Sequence, residues 1–393
     1  MKRINQYIYM KVLFITRGFP SLKNPMIGNY EAVQAKALAA KGLQVSVLSV
    51  YEDEESLNKI NLRSKISHRR VDEIDIYETT RLYINIRFIR RINKYLRRLS
   101  YKRTFKKYSK EKGLPDIVHG HIVYSSFYAL FIKKEYHIPF VITEHWTQMN
   151  VKKIPIWLDK MSIAYHLADQ VICVSQALAE SLRNHFHVES IIINNMVSDL
   201  FFHSPKVKSI DKCFKFVACG AFRKNGNKGF DILVDAFAMS HFSDNVNLFI
   251  IGDGEDRHNI ENKIAKYNLG AQIHLLGTKT PCEVSEQLCN SDCFVLSSRL
   301  ETFAIVVIEA MAKGLPIIAT KCGGPETFLR PEHGVLVEKE NVEQLSQAMQ
   351  YMTEHYRNYC SDEIRQFCYD HFSQDVIAEQ IIEVYKQVLS NRK

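Results

Sequence analysis

The sequence has few of the features that mark secreted, membrane-spanning or metal-cluster proteins. No apolar run approaches the roughly 20 residues that a membrane-spanning helix needs, and residues 1–10 carry polar side chains throughout, unlike a secretory signal. The nine cysteines include no Cys-x-x-Cys pair, which argues against a zinc ribbon or a dithiol redox site. We therefore expect buried free thiols and a reduced, cytoplasmic compartment.

The composition is that of an ordinary globular chain. Of the 393 residues, 46% are hydrophobic and 24% are charged, which excludes a disordered, collagen-like or coiled-coil protein. The length exceeds one ordinary domain core and suits two or three domains with large buried interiors.

The positive charge is concentrated in one segment. The chain carries a formal net charge of +9, and residues 81–112 contain thirteen Lys or Arg and a single acid, Glu111. That segment alone carries +12, so the rest of the chain sums to −3. A polyanionic partner would therefore meet this segment and not the protein as a whole.

Short apolar segments alternate with amphipathic helical segments in two series. This alternation predicts two parallel, doubly wound sheets with helices on both faces. The first series occupies residues 1–195, and its predicted strands are Lys11–Thr16, Val45–Val50, Asp116–His119, Phe140–Thr143, Val171–Val174 and Ser190–Asn194. Ser175 is expected to cap the helix that begins at Gln176.

The second series follows a polar stretch with Pro205, residues 196–213, which we expect to be the interdomain linker. It occupies residues 214–372, with predicted strands Phe214–Cys219, Asn247–Ile251, Ile273–Leu276, Cys293–Leu296 and Pro316–Ala319. A helix over 373–393 is expected to pack back toward the first domain. Because ligands bind at the carboxyl ends of parallel strands, we expect an α/β protein whose two Rossmann-like domains face each other across a cleft.

The strongest chemical signal follows the strand that ends at Leu296. A short loop carries Glu301 and a helix opens near Phe303, so unpaired amides and the positive end of the helix face the region beyond the strand. This arrangement is an anion site suited to a diphosphate. Glu309 lies two turns further along and is costly to bury alone, so it needs either a vicinal diol such as a ribose or an internal salt bridge.

The segment SSRLETFAIVVIEAMAKGLPIIAT, residues 297–320, contains a Glu-x7-Glu spacing and closely resembles the C-terminal signature of the family 4 glycosyltransferases. The resemblance runs from about residue 11 to residue 389 and implies the two-domain GT-B fold. Further matches are Lys228–Asp231, Gly252–Gly254, Gly323–Glu326, Val174–Leu178, Asn195 and Phe201.

The resemblance implies that the two glutamates bind a sugar donor. Glu309 would hold the donor ribose, and Glu301 would lie at the hydroxyls of the transferred sugar. The turn at Gly252 and Gly254 would line the nucleobase, although a Gly-Asp-Gly turn is also a common link between a strand and a helix.

The donor pyrophosphate would need positive charge around it. The resemblance places it on the amides of Phe303, Ala304 and Ile305, with Arg223 and Lys228 as cations, because a departing nucleoside diphosphate develops negative charge. No Asp-x-Asp stands at a strand end, so we expect neither a metal ion nor another cofactor. A solvated turn is the alternative for both cations. Ala304 replaces the usual glycine and narrows the space near the sugar, and Arg223 is offset from the usual arginine spacing.

The first domain offers five candidates, which are Gly28, His119, His121, Glu144 and His145. Gly28 would let backbone approach the donor phosphates or the acceptor. The resemblance places His121 beside the transferred sugar, and we expect His119, Glu144 and His145 on the acceptor side. A zinc site on the three histidines and purely structural histidines are the alternatives.

The resemblance implies a retaining glycosyltransferase that moves a sugar from a nucleotide diphosphate sugar to a glycan or lipid-linked acceptor, as in cell-surface polysaccharide or lipopolysaccharide biosynthesis. No residue is an obvious nucleophile, so the implied route is front-face attack, in which the leaving phosphate accepts the acceptor's proton. The expected catalytic residues are Glu301, His121, Lys228 and Arg223. A sugar-nucleotide epimerase of the same fold and a basic nucleic-acid-binding module are the open alternatives.

The basic segment 81–112 places Ile89, Ile92, Leu96 and Leu99 at helical spacing among its cations. A basic amphipathic helix suits an anionic membrane surface, so we expect peripheral attachment to the inner face of a membrane. One alternative is a helix whose apolar side packs on the first sheet. The other is a nucleic-acid surface, which the absence of a recognised stacking module disfavours.

Overall fold

The chain forms two α/β units in a computed structural model that describes residues 10–21, 27–51, 65–81, 90–149, 154–203 and 213–391. The first unit comprises Met1–Ile193 with Ile377–Lys393, and the second comprises Asn194–Val376. Residues 82–89 of the basic segment and 204–212 of the expected linker lie outside the described residues. Each unit has its own sheet. Apolar strands that are covered on both faces need a helical layer on each side of the sheet.

Over the described residues, the sheet of the first unit has eight strands. Their bounds are β1 Lys11–Thr16, β2 Gln44–Tyr51, β3 Ser67–Val71, β4 Ile74–Thr80, β5 Ile117–His121, β6 Phe140–Glu144, β7 Gln170–Cys173 and β8 Ile191–Ile192. Their order across the sheet is β3-β4-β2-β1-β5-β6-β7-β8, and only the β3–β4 pair is antiparallel. In the centre, Ile15 of β1 lies opposite both Leu48 and Gly120.

Seven helices come from the first part of the described chain. They are α1 Asn29–Ala40, α2 Arg90–Lys112, α3 Ile122–Ala129, α4 Phe131–Tyr136, α5 Ile156–Asp159, α6 Ile163–Leu167 and α7 Gln176–Phe186. The Ser175 hydroxyl accepts a hydrogen bond from the Leu178 amide at 3.3 Å, so the expected cap of α7 is confirmed.

The β3–β4 hairpin escapes prediction from the sequence because its usual signals are missing. β3 is a largely exposed edge strand that carries Arg69 and Arg70, and charge on an edge strand discourages pairing with other chains. The two-residue turn is Asp72-Glu73, with φ of 48° and 69°, where Asn-Gly would be the recognisable pair.

The sheet of the second unit has six parallel strands in the described residues. Their bounds are β9 Phe214–Cys219, β10 Val246–Ile251, β11 Ile273–Gly277, β12 Cys293–Leu296, β13 Ile317–Thr320 and β14 Gly334–Val337, and their order is β11-β10-β9-β12-β13-β14. The helices are α8 Phe230–Met239, α9 Arg257–Lys266, α10 Pro281–Cys289, α11 Ile305–Ala312, α12 Val342–His355 and α13 Ser361–Phe372. Phe216, Phe237 and Leu248 are fully buried in its core.

A last helix, α14 Gln374–Ser390, belongs to the first unit from Ile377 onward. Its buried residues recur at helical spacing, and Tyr385 is wholly enclosed. The sequence of the first unit is therefore discontinuous, and its C-terminal helix supplies a buried tyrosine to the core around β5.

The basic helix α2 packs through a different side from the one that the apolar stripe predicts. Its buried residues include Arg97, Tyr101, Phe105 and Tyr108, and the Tyr108 ring lies 5.5 Å from that of Tyr77 on β4. In the predicted stripe, by contrast, Ile92 is 46% exposed, and Leu96 and Leu99 are half-buried. The C-terminal half of α2 therefore packs on the first sheet through its aromatic residues, which was one of the alternatives considered from the sequence.

None of the helices within the described ranges is both long and apolar enough to cross a membrane. All nine cysteines are free thiols, and Cys173, Cys293, Cys322 and Cys368 are buried as expected. Cys282 and Cys360 are exposed instead.

Candidate active site

In the second unit, two loops meet at the carboxyl ends of β9 and β12. These strands are neighbours in the sheet, so the loop after Cys219 and the loop after Leu296 emerge side by side. The Arg299 amide donates to the Asn227 carbonyl at 2.8 Å, and the Asn227 side-chain amide donates to the Leu300 carbonyl at 2.9 Å. These reciprocal bonds hold the two loops as one surface.

Arg299 stabilises the same surface by binding two carboxylates, and it was not predicted from the sequence. Its two terminal nitrogens donate to the carboxylate oxygens of Asp231 at 2.9 and 2.8 Å, and its Nε donates to Glu340 at 3.1 Å. Burial alone would raise the pKa of Asp231, but the hydrogen bonds and charge of Arg299 hold it below its usual value. The signal that could have found Arg299 is an arginine two residues before the first glutamate of the Glu-x7-Glu spacing.

Lys228 and Glu301 form a half-buried ion pair between the two loops. Lys228 Nζ lies 2.7 Å from Glu301 Oε1, and the Ser298 hydroxyl donates to the same oxygen at 2.7 Å. The Glu301 amide donates to the Cys322 carbonyl at 2.8 Å. The pair thus presents a fixed ammonium beside a fixed carboxylate, which suits a ligand carrying both phosphates and hydroxyls.

Glu309 lies on α11, is half-buried and has no internal partner among the described residues. Within the described parts of the chain, no hydrogen bond or ion pair reaches its carboxylate, and burial raises its pKa to about 8. Its charge raises the pKa of the Cys219 thiol at the end of β9, after the larger effect of burial, so Glu309 lies near that strand end. The internal salt bridge considered from the sequence is therefore not formed with any described residue.

The N-terminus of α11 is shaped by Phe303 and Ala304. Ala304 precedes the first helical residue with φ 71° and ψ 67°, a left-handed conformation that costs a non-glycine residue roughly 1–2 kcal/mol. Phe303 is fully buried, with the Gly324 backbone packed against its own backbone. The first amides of α11, starting at half-buried Ile305, therefore lie at the carboxyl edge of the sheet, where a helix N-terminus favours an anion.

Three other residues that were expected to bind the sugar donor lie beside this surface. Arg223 is exposed at the start of the loop after β9. Gly252 and Gly254 have φ of 139° and 148°, and a Cβ on either would collide with the carbonyl oxygen of Gly220 or Phe222. The turn can pack this closely against the β9 loop only with glycine at both positions.

In the first unit, His121 ends β5 and His119 lies two residues before it, and both are fully buried but differ in their partners. His119 Nδ1 lies 2.5 Å from the Tyr385 hydroxyl and its Nε2 lies 2.7 Å from the Thr143 hydroxyl. Both ring nitrogens of His121 lack a hydrogen-bond partner among the described residues. Burial lowers the pKa of both imidazoles, that of His119 to about 3, so both are neutral at pH 7. His121 is the one with nitrogens left for a ligand.

The Glu144 carboxylate is occupied by hydrogen bonds within the first unit. It accepts hydrogen bonds from the Val123 amide at 2.8 Å, the His145 amide at 3.0 Å, the Trp146 amide at 2.8 Å and the Tyr165 hydroxyl at 2.6 Å. Burial raises its pKa in spite of these bonds. Glu144 therefore joins α3 and α6 to the turn after β6.

Three more residues lie nearby. His145 belongs to this turn, whereas Gly28 and Glu31 lie at the start of α1. His145 Nε2 lies 3.9 Å from Glu31 Oε1, and burial lowers the pKa of His145 to about 4. Gly28 precedes α1 with φ 67°. Sequence reasoning missed Glu31, whose pKa burial raises to about 7.

The three histidines do not make the zinc site that was the alternative considered from the sequence. Their rings are neighbours, with centroids 4.7 Å apart for His119 and His121 and 5.8 Å apart for His121 and His145. Both nitrogens of His119, however, are already hydrogen-bonded, so it has no lone pair free for a metal. Over the residues with described positions, no group of three or more His, Cys, Asp or Glu could hold a metal ion.

Family models match both units. The model described as Glycosyltransferase Family 4 matches residues 28–199, and the model described as Glycosyl transferases group 1 matches residues 202–367. An uncharacterized glycosyltransferase of Methanocaldococcus jannaschii is 31% identical over 237 residues, which are 59% of this chain and 64% of that relative. The alignment thus spans just under two thirds of the relative's own length.

Solved structures share the fold at low sequence identity. The sucrose-phosphate synthase of Thermosynechococcus elongatus matches with a TM-score of 0.79 and 19% identity, over 98% of this chain and 99% of that one. The Anabaena HepE protein, solved in complex with UDP and glucose, matches with a TM-score of 0.71 and 17% identity, over 96% and 99%.

Two parallel-dominated α/β sheets with these structural neighbours define the class, which is the GT-B fold of glycosyltransferases. The chain belongs to the family 4 glycosyltransferases, with a group 1 domain in its second unit. The family resemblance and the fold class expected from the sequence are confirmed.

Proposed function

We propose that this protein transfers a sugar from a nucleoside diphosphate sugar to a glycan or lipid-linked acceptor, with retention of configuration and without a metal ion or other cofactor. The observation that carries the proposal is the Lys228–Glu301 pair, 2.7 Å long, at the strand edge near which the partnerless Glu309 lies. A sugar nucleotide requires a cation for its phosphates, a carboxylate for the hydroxyls of its sugar and a second carboxylate for the diol of its ribose.

The donor phosphates would lie against the start of α11. The amides of Phe303, Ala304 and Ile305 and the positive end of the helix would bind the pyrophosphate. Lys228 and Arg223 would stabilise the negative charge that develops on the leaving nucleoside diphosphate. The HepE structure with UDP and glucose has the same fold, which supports a nucleotide donor here.

Glu309 would accept hydrogen bonds from the two ribose hydroxyls. Charged acceptors make the strongest hydrogen bonds, so the diol would favour ionised Glu309 and lower its raised pKa. The nucleobase would lie beside the turn of Gly252 and Gly254.

Retention follows in this proposal from front-face attack. The C–O bond to the leaving phosphate breaks while the acceptor oxygen bonds to the same face of the anomeric carbon, and the acceptor proton passes to the phosphate oxygen. Glu301 would orient the sugar hydroxyls and His121 would offer a neutral imidazole to the sugar. A glycosyl group trapped covalently on Glu301 would contradict this route.

The acceptor is proposed to be a growing cell-surface glycan at the inner face of a membrane, which places the enzyme in the cytoplasm. The exposed cations on α2, among them Lys94, Arg98, Arg103 and Lys106, suit anionic headgroups. Flotation with vesicles of pure phosphatidylcholine and of phosphatidylcholine with phosphatidylglycerol tests this; binding should need the anionic lipid. Binding to nucleic acid alone would overturn it.

A donor-binding test decides the central proposal. Thermal shifts with uridine, guanosine and adenosine diphosphate sugars should select one donor, and Glu309→Ala should abolish that shift. Glu354→Ala, an exposed glutamate of the same unit, is the matched control and should keep it. Unchanged donor affinity in Glu309→Ala would refute the site, and conversion of the donor into an isomeric sugar nucleotide without any acceptor would indicate an epimerase.

A further inference from the structure

Two hydroxyl groups of the first unit hold the His119 ring at both of its nitrogens. The Tyr385 hydroxyl lies 2.5 Å from Nδ1, and the Thr143 hydroxyl lies 2.7 Å from Nε2. All three side chains are buried, so solvent does not compete for these bonds. A neutral imidazole has one N–H donor and one acceptor nitrogen, and a hydroxyl can serve either. Both bonds can therefore form at once and fix the plane of the His119 ring.

Tyr385 comes from a distant part of the chain. It lies on α14, the last helix, 266 positions after His119. A Cβ on Gly120 would lie 2.2 Å from Ser126 Oγ, so α3 packs against the Gly120 side of β5. Side chains alternate along a strand, so those of His119 and His121 both point to the opposite face. Tyr385 therefore contacts β5 on the face that carries both histidines.

His121 has no comparable hydrogen bonds. Neither of its ring nitrogens has a partner within the described ranges. The rings of Phe14, His119 and His145 pack around it, with centroids 4.6, 4.7 and 5.8 Å from its own. Over the part of the chain that the structure describes, ring packing therefore sets the orientation of the His121 imidazole.

His119 is the ring in this group that lies flattest against His121. The two imidazole planes meet at 22°, whereas the planes of Phe14 and His145 meet that of His121 at 53° and 60°. A stacked ring covers the face of its neighbour, and a close-packed interior transmits any shift of one ring to the next. A fixed His119 ring therefore restrains the tilt of the His121 ring.

We propose that Tyr385 is a positioning residue for His121: together with Thr143 it fixes the His119 ring, against which the His121 ring is stacked. This role rests on the proposed function, in which His121 offers its imidazole to the transferred sugar. A histidine that binds a ligand needs unbonded nitrogens, so its orientation has to come from the neighbours that touch its ring. Displacement of a positioned group by about 1 Å can cost about a hundredfold in rate.

Steady-state kinetics separates positioning from a merely structural role. Tyr385→Phe keeps the ring and removes the hydroxyl, so we expect kcat to fall about tenfold while KM for the donor changes less than about twofold. The proposed donor-binding groups Lys228 and Glu309 belong to the second unit and stay intact. Tyr77→Phe is the matched control, because Tyr77 is also fully buried in the first unit and its hydroxyl donates to Glu111 at 2.9 Å. It should lower Tm and leave kcat unchanged.

Thr143 offers an independent variant at the other nitrogen of His119. Thr143→Val keeps the shape of the side chain and removes the hydroxyl, so kcat should fall as it does in Tyr385→Phe. Thr143→Ser retains a hydroxyl and should restore most of the lost kcat. This pair tests the same ring if Tyr385→Phe does not fold.

NMR of the imidazole nitrogens observes both rings without any sugar donor. Protein labelled with nitrogen-15 in histidine is compared with labelled Tyr385→Phe, and His119→Gln and His121→Gln assign the signals. Burial lowers the pKa of both imidazoles, so each has one protonated and one unprotonated nitrogen at pH 7. Loss of the Tyr385 hydroxyl should shift the His119 Nδ1 signal and also shift or broaden the His121 signals. Tyr77→Phe should change neither.

The positioning role and the transferase activity can fail separately. His121 signals that stay unchanged in folded Tyr385→Phe and Thr143→Val overturn the positioning role, even if Glu309→Ala abolishes donor binding as proposed. An unchanged kcat in both variants, a change confined to KM, or an equal fall of kcat in Tyr77→Phe also overturns it. His121 signals that respond to Tyr385→Phe in a protein that transfers no sugar support the positioning of the ring and overturn the transferase proposal.

Discussion

Donor affinity should depend on pH through Glu309. Burial without a partner raises the pKa of this carboxyl group to about 8, so about 90% of it is protonated at pH 7. A ribose diol that binds the carboxylate must displace that proton. Raising the pH removes the proton beforehand, so affinity should rise as pH increases.

The magnitude follows from the ionised fraction. If only the carboxylate binds the diol, affinity should rise about tenfold from pH 6 to pH 7, less steeply up to pH 8, and level off above it. At pH 7 close to one proton should be released per donor bound. The diester phosphates of a sugar nucleotide do not titrate in this range, so the protein supplies the proton.

Isothermal titration calorimetry at pH 6, 7, 8 and 9, in buffers of different ionisation enthalpy, measures both quantities. Glu309→Gln keeps the shape of the side chain and cannot ionise, so it should bind weakly with no pH dependence and no proton release. A flat affinity profile for the unmodified protein, or the same slope in Glu309→Gln, would refute the reasoning.

Three further predictions concern positions that the structure links to the site. Lys228→Ala should lower kcat by roughly a hundredfold or more, because one fixed group that stabilises a developing charge is worth about that much; steady-state kinetics would show it, and a change confined to KM would contradict a role in leaving-group stabilisation. Ala304→Gly should raise Tm by a few degrees as left-handed strain of roughly 1 kcal/mol is relieved; calorimetry showing a lower Tm would refute the strain. Tyr385→Phe removes the partner of His119 Nδ1 and should cost about 1 kcal/mol of unfolding free energy in urea titration; an unchanged midpoint would show that this bond contributes nothing.

Local sequence signals could predict the motifs of the second unit and five of its six described strands, all but β14. Its strand Cys293–Leu296 is a continuous apolar run, its strand Phe214–Cys219 is interrupted only by Lys215, and the bounds of both match the prediction. The motif residues Glu301 and Glu309 share one loop and helix, so their grouping is visible in the sequence alone.

Contacts between distant segments could not be predicted in this way. His119 meets Tyr385 across 266 positions, and Arg299 meets Asp231 across 68, because strand order and helix return decide these contacts. In α2 the apolar stripe was misleading, since aromatic residues such as Phe105 pack better against the sheet than the aliphatic residues at the other end. The grouping of His121 with His145 likewise appears only once β5 and β6 are known to be neighbours.

The most direct test of the central claim is the stereochemistry of the product. The donor selected by thermal shift, labelled with carbon-13 at its anomeric carbon, is incubated with the protein and a glycan or lipid-linked acceptor, and the product is observed by NMR. We predict a new glycosidic linkage with the anomeric configuration of the donor and one nucleoside diphosphate released per linkage. A product of the opposite configuration, or an altered sugar nucleotide formed without acceptor, would contradict the account.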